Sequence, residues 1–241
     1  MFEKSLYGLL TDSIFGGVKM KKLIIWDFDG VIADTEKLWL ETRLDMLNKY
    51  FSLNWDFDTI NQYCGGMSDK TKRENLDKLG IITNDEFWVE AIKIDVEKLN
   101  GGIRPVYGVL KILKNKSLLQ CVATGGVLSK TILKIKSAKL EKYIPNDCLF
   151  TADMVTKGKP EPDLFLLAAQ KMGVKPENCV VIEDSIAGMT AGIRAGMTVV
   201  AFLGCEMNNN QKYIEKVKKL GIKNIFFKMR DVEKFLIDFS K

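Results

Sequence analysis

Six apolar runs of four or five residues recur along the chain, and from residue 119 onward each is followed by a stretch of helical periodicity. The spacing predicts strands over 119–123, 148–151, 179–182, 198–202 and 224–227, with helices over 129–140, 163–172, 186–195, 211–220 and 231–239 between and after them. Continuous apolar runs, rather than alternating ones, mark strands covered on both faces. Strand–helix alternation of this kind closes into right-handed βαβ units around one parallel sheet, which makes the chain an α/β protein.

The first run, Leu23-Ile24-Ile25-Trp26, stands apart from the rest. Between it and residue 103 there is no strand signal, only helical patterns over 35–51, 68–79 and 84–99, before Gly101-Gly102 breaks the chain. This predicts a helical insertion after the first strand. The domain reading is a core of residues 20–34 and 104–241, a helical cap of residues 35–103, and an amino-terminal extension of residues 1–19, with Met20 as the expected natural start. The apolar pieces before Met20 are too short for a signal peptide, and no run is long enough to span a bilayer.

Composition narrows the chemistry. The chain has no histidine, which removes Ser-His-Asp triads, Cys-His nucleophiles and His-ligated zinc. Its five cysteines are odd in number and include no C-x-x-C pair, which fits reduced thiols and a cytoplasmic location better than disulfides or zinc. The net charge of +5 comes from lysines and arginines scattered along the whole chain. That suits an anionic small molecule and gives no stripe for nucleic acid and no membrane patch. Oligomeric state is not legible, and a monomer is compatible with everything above. Any catalysis rests on carboxylates, lysines, hydroxyls and backbone groups.

Four short clusters carry those groups, each at or just past the carboxyl end of a predicted strand or its connection. Asp27-Phe28-Asp29-Gly30 puts two carboxylates two residues apart, able to face one way, with a glycine to turn the chain. Such a pair can divide nucleophilic attack from proton transfer, and its crowded charge invites a hard divalent cation. Thr124-Gly125-Gly126 offers a hydroxyl and bare amides to an anion. Lys159-Pro160-Glu161-Pro162 holds an ammonium on a stiffened backbone. Glu183-Asp184-Ser185 sets two adjacent acids after a buried strand. Taken singly, each also reads as an ordinary turn or helix cap. Together, at the end of the sheet where open α/β folds bind ligands, they converge on one crevice.

In that order and position the clusters resemble the haloacid dehalogenase-like superfamily. The matching stretches are DFDGVIADTE (27–36), VATGG (122–126), GKPEPDLF (158–165) and VIEDSIAGMTAGIRAGM (181–197), and the likeness covers about residues 21–205. It is closest to the branch with a helical cap after the first strand, which includes β-phosphoglucomutases and sugar-phosphate phosphatases. The resemblance implies a Rossmann-like parallel-sheet core and an Mg2+-dependent phosphatase for a small phosphorylated metabolite. Asp27 would become an aspartyl-phosphate. Asp29 would protonate the leaving alcohol and then activate water, its carbonyl also binding the metal. Thr124 and the Gly125 amide would hold the phosphoryl group. Lys159 would orient Asp27 and offset charge, and Asp184, with Glu183, would serve the metal.

Two departures from the mutases favour hydrolysis. The histidine they carry four residues after the motif threonine is Trp39 here, counted from Thr35, and their cap Gly-x-Ser-Arg is Gly66-Met67-Ser68-Asp69, an acid in place of the arginine. That acid is expected to repel a second phosphate. The aspartate at 29 argues against carbon–halogen chemistry. Thr35, Trp39, Ser68, Lys70 and Lys72 are candidates for specificity, Met67 is expected in the cap core, and Ala33 and Gly101-Gly102 are candidate hinges. A phosphomutase on the same scaffold, and a non-catalytic phosphate-binding or regulatory protein, are the alternatives.

Overall fold

The computed structural model describes residues 21–65, 67, 69–205 and 209–241. The proposed extension 1–19, Met20, Gly66 and Ser68 therefore lie outside the described residues. Six parallel strands form one sheet: β1 (Leu23–Trp26), β2 (Leu119–Thr124), β3 (Leu149–Thr151), β4 (Cys179–Glu183), β5 (Thr198–Phe202) and β6 (Asn224–Phe226). Their order across the sheet is β3-β2-β1-β4-β5-β6, with β1 between β2 and β4 in the middle. All four residues of β1 and all five of β4 are buried, which is why they read as continuous apolar runs.

Ten helices accompany the strands among the described residues. In chain order they are α1 (Glu36–Phe51), α2 (Phe57–Cys64), α3 (Asp69–Lys78), α4 (Asp85–Asn100), α5 (Val109–Leu113), α6 (Leu128–Ser137), α7 (Asp163–Lys171), α8 (Ile186–Arg194), α9 (Gln211–Lys219) and α10 (Met229–Phe239). The sheet separates two apolar layers. One holds Trp26, Phe28, Val122, Ile182 and Phe202, and the other Leu23, Ile25, Phe165, Val181 and Ala191. Alternate residues of the same strands feed opposite layers, as the pleat requires. At Gly192 a Cβ would stand 2.8 Å from the Val199 side chain, so glycine lets α8 lie close on the sheet.

Helices α1 to α4 bury a cluster of their own around Leu40, Leu47, Ile60, Leu76 and Trp88, separate from both layers. Two of the ten helices had no counterpart in the sequence pattern. Helix α2 is short and announced mainly by Asp56, whose carboxylate accepts from Thr59 N at 2.8 Å. Helix α5 is a five-residue turn after Gly108. Met67, expected in the core, is only half-buried. Among the described residues no helix is long and apolar enough to cross a membrane.

Candidate active site

Strands β1, β2 and β4 run in register, with Trp26 beside Val122 on one side and Ile182 on the other. The residues that follow them therefore emerge at one edge. Asp27 continues the pairing through its amide, which donates to Ile182 O at 2.9 Å, and the residue is 6% exposed. Lys159 arrives from the connection before α7. Its ammonium donates to Asp27 Oδ1 at 2.5 Å, to Glu183 Oε1 at 2.7 Å and to Ala123 O at 3.0 Å, and so ties the ends of β1, β4 and β2 together. It also lies 4.8 Å from the centroid of the Phe165 ring.

Burial dominates the charge balance here. It pushes the Asp27 carboxyl up to about 7, Lys159 pulls it back, and the neighbouring Glu183 and Asp29 charges raise it further. Burial opposes the Lys159 charge as well, but the Asp27 and Glu183 carboxylates outweigh it and hold the ammonium more firmly protonated than usual.

Both oxygens of Glu183 are engaged. Oε1 meets Lys159, while Oε2 accepts from Asp184 N at 2.9 Å, Ser185 N at 2.8 Å and Ser185 Oγ at 2.9 Å. A Cβ at Gly188 would stand 1.7 Å from Oε1, so glycine leaves room for this carboxylate under the first turn of α8. Glu183 thus anchors Lys159 and the start of α8. Asp184 packs on the other side, against the turn after Asp29. Gly30 has φ +78°, and a Cβ there would fall 1.9 Å from Asp184 Oδ2. The Asp184 carbonyl accepts from the Tyr213 hydroxyl at 2.8 Å, which pins the loop from β4 to α9.

Asp29 is held differently. Thr35 Oγ1 donates to its Oδ1 and Lys134 Nζ to its Oδ2, and both contacts are short. Burial would raise this carboxyl, but the Lys134 charge and the hydrogen bonds from Lys134, Thr35 and Trp39 prevail and hold it below its usual range. Lys134 is 4% exposed and was missed in the sequence. Its ammonium would lie 3.4 Å from a Cβ at Gly126, which sets it beside the Thr124–Gly126 turn. In that turn Gly126 N donates to Thr124 Oγ1 at 3.3 Å, Thr124 is buried, and Gly125 is exposed with open space where a side chain would be.

Of the specificity candidates, Thr35 and Trp39 turn onto Asp29, Lys72 is buried and Lys70 is exposed. Asp69 is not an isolated acid. Lys130 Nζ reaches it at 2.9 Å, Arg43 at 3.8 Å and Lys72 at 3.9 Å, so the repulsion expected of it toward a second anion does not follow from its setting. A groove of about 490 Å³ beside Leu166, Gln170 and Lys175 opens at the other edge of the sheet and holds none of these groups.

Among the described residues no three acidic or sulfur side chains converge as a ready metal cage. Mg2+ does not require one, since it commonly takes one or two carboxylates and keeps several waters. The donors fit that habit. The Asp184 carboxylate is seated on the Asp27–Gly30 turn, beside the Asp27 and Glu183 carboxylates that share Lys159.

Residues 24–202 match the haloacid dehalogenase-like hydrolase family. A fructose-1-phosphate phosphatase of Escherichia coli is 30% identical over 73% of this chain and 94% of its own length. A haloacid dehalogenase-like hydrolase domain-containing protein of Arabidopsis thaliana is 26% identical over 73% of the chain, which spans 66% of that relative's length. A haloacid dehalogenase-like protein from Agrobacterium tumefaciens superposes with a TM-score of 0.78 over 92% of this chain and 100% of the other, at 22% identity. The chain belongs to the haloacid dehalogenase-like hydrolases, in the branch with a helical cap. Its phosphatase relatives place it with the phosphoric monoester hydrolases of that family.

Proposed function

We propose that this protein is an Mg2+-dependent phosphatase that cleaves a small phosphorylated metabolite, a sugar phosphate or similar compound, through an aspartyl-phosphate on Asp27. The observation that carries the reading is the Lys159 bridge. One buried ammonium bonds Asp27 and Glu183 at the ends of adjacent strands and leaves the second Asp27 oxygen clear of it.

In the first step Asp27 attacks phosphorus as the bond from phosphorus to the alcohol oxygen breaks, and Asp29, having taken a proton from solvent water, passes it to that leaving oxygen. Thr124 and the Gly125 amide hold the phosphoryl oxygens, and Lys159 keeps Asp27 aligned. In the second step Asp29 takes a proton from water as that water attacks the aspartyl-phosphate. Lys134 and Thr35 fix the carboxylate of Asp29 for this work. The residues that would hold the cation are Asp27 and Asp184 through their carboxylates and Asp29 through its carbonyl, with Glu183 behind them. When bound, Mg2+ supplies the positive charge that lets an anionic ester approach an ionised Asp27. The cap, residues 35–103, would exclude bulk water over the crevice, with Ala33 and Gly101-Gly102 as hinges.

A phosphate-release screen over a metabolite panel, with Mg2+ and with chelator, tests the proposal. Metal-dependent release that disappears in Asp27→Asn supports it, and undiminished release by that variant rejects it. The cations around Asp69 favour keeping a phosphomutase as the second reading. Conversion of a hexose 1-phosphate into its 6-phosphate would establish that one.

A further inference from the structure

Glycine at position 30 meets one need of the crevice and creates another. The Asp184 carboxylate lies where a Cβ would stand, so a side chain there has no room. Glycine is also the most permissive residue of the backbone, so the turn that carries Asp27 and Asp29 has to be held by other groups. Its amide is held within the turn, where Gly30 N donates to Ala33 O at 2.8 Å. Its carbonyl is held from far along the chain, where Cys205 Sγ donates to Gly30 O at 3.2 Å.

The fold delivers Cys205 to that place. Leu203 N donates to Phe226 O at 2.8 Å, so the chain keeps to β6 beyond the end of β5. Gly204 follows in a space where a Cβ would stand 2.7 Å from Phe227 O. Cys205 is then 7% exposed, in the apolar layer of Trp26, Phe28 and Phe202. A thiol suits such a layer, because it packs as a small hydrophobe and still carries a donor. Burial and the nearby Asp34 and Asp184 carboxylates hold it well above the usual cysteine range, so it stays protonated. Tyr213 grips the Asp184 side of the same contact, through the Asp184 carbonyl.

We infer that Cys205 is a positioning residue for the cation site, its bond to Gly30 O fixing the turn on which Asp184 is seated and from which the Asp29 carbonyl projects. The inference rests on the Mg2+-dependent phosphatase reading and adds to it a residue outside the four sequence clusters. The Asp29–Gly30 peptide is planar, so the Asp29 carbonyl points opposite to the Gly30 amide. With Gly30 held at both amide and carbonyl, that direction and the seat of Asp184 are set before a cation arrives. Without the thiol bond the glycine gains freedom about ψ, and binding has to order it.

The test follows Mg2+ in the whole chain by two readouts, the rise in thermal unfolding temperature and the activation of p-nitrophenyl phosphate release. Cys205→Val fills the space and cannot donate, whereas Cys205→Ser donates and fills less. In Cys205→Val and Cys205→Ala the Mg2+ concentration needed for a given effect should rise about fivefold in both readouts, and Cys205→Ser should bring it back toward the wild type. An unchanged Mg2+ requirement in Cys205→Val overturns the inference, as does recovery by valine but not by serine, which would mean packing alone. A loss of stability in these variants that is the same at every Mg2+ concentration overturns it too. A wild type that responds to Mg2+ in neither readout ends the metal-dependent reading itself, and the inference with it.

Discussion

Asp27 and Asp29 lie two residues apart on one turn, yet the protein treats them in opposite ways. At the floor of the crevice one lysine serves two carboxylates, Asp27 and Glu183, with Asp184 close by, so negative charge is left over. At the lip one lysine serves one carboxylate, Asp29, and a threonine completes it. The floor is therefore unbalanced and ready for a cation, while the lip is balanced without one. The opposite displacement of the two carboxyls, up for Asp27 and down for Asp29, follows from this difference, since desolvation pushes both upward.

The sharpest way to break the comparison is to remove each aspartate's role in turn. Asp27→Asn should lower turnover at least about 1,000-fold with the fold retained, because no other group described in the crevice can become the phosphoenzyme. Steady-state rates and circular dichroism check this together. Lys159→Met should cost roughly 100-fold in kcat and about 3–5 kcal/mol in stability, since it strands two buried carboxylates. Lys134→Met strands one that is hydrogen-bonded to Thr35, so its cost should be smaller, near tenfold in kcat. At saturating Mg2+, which keeps Asp27 ionised, it should also move the acidic limb of the kcat profile upward by about one unit, because Asp29 acts as base in the second step and the charge that holds it low is gone. Equal losses in the two lysine variants, with no movement of the limb, would remove the distinction between floor and lip.

The same asymmetry sets the pH dependence of stability in chelated protein. Asp27 has a folded-state value near 7, above its ordinary 3.8. Its stabilising contribution is therefore whole below pH about 4 and is lost as pH rises through about 7. Asp29 is displaced downward, so its contribution is present above pH about 4 and is lost as pH falls through its lowered value. Thermal unfolding with chelator should show Asp27→Asn gaining on the wild type by several degrees between pH 4 and 8, and Asp29→Asn lying below it by a constant amount over that range, the gap closing only below pH about 4. Saturating Mg2+ should narrow the first gap and leave the second, because binding to the native state at about 100 Kd adds roughly 2.7 kcal/mol only where the cation site is complete.

The floor was legible in the sequence and the lip was only half so, for a physical reason. Asp27, Thr124 and Glu183 each follow directly from a buried strand, so locating the strand locates the residue. Their parallel register then brings them to one edge without further information. Lys134 sits instead within an amphipathic helix that also carries Lys130 and Lys136. Which of three lysines is buried depends on where Asp29 lies across the crevice, and periodicity does not contain that. The faint signal available was the spacing of Lys134, four residues from Lys130 and three from the buried Thr131. Asp69 misled in the same manner: read alone it is an acid in place of an arginine, but Arg43 and Lys130, distant in sequence, change the sign of its surroundings. The helical cap shows the lesson at the level of elements, since the long helices were visible and the short α2, held by one capping aspartate, was not.

The smallest effect expected is the most specific to the floor. Tyr213, from α9, donates its hydroxyl to Asp184 O at 2.8 Å and accepts from Ile186 N at 3.2 Å, spanning the loop that carries the Asp184 carboxylate. Tyr213→Phe keeps the ring and deletes both bonds, at a cost of about 1 kcal/mol. If the floor depends on a cation for its balance, that loosening should appear as a few-fold weaker activation by Mg2+ with kcat at saturating metal nearly unchanged. The acidic limb set by Asp29 should not move, since Asp29 is held by Lys134 and Thr35 whereas these two Tyr213 bonds go to backbone at Asp184 and Ile186. A titration of rate against Mg2+ concentration at two pH values reads both quantities. A shift of the limb without a change in metal activation would mean that floor and lip are one coupled unit.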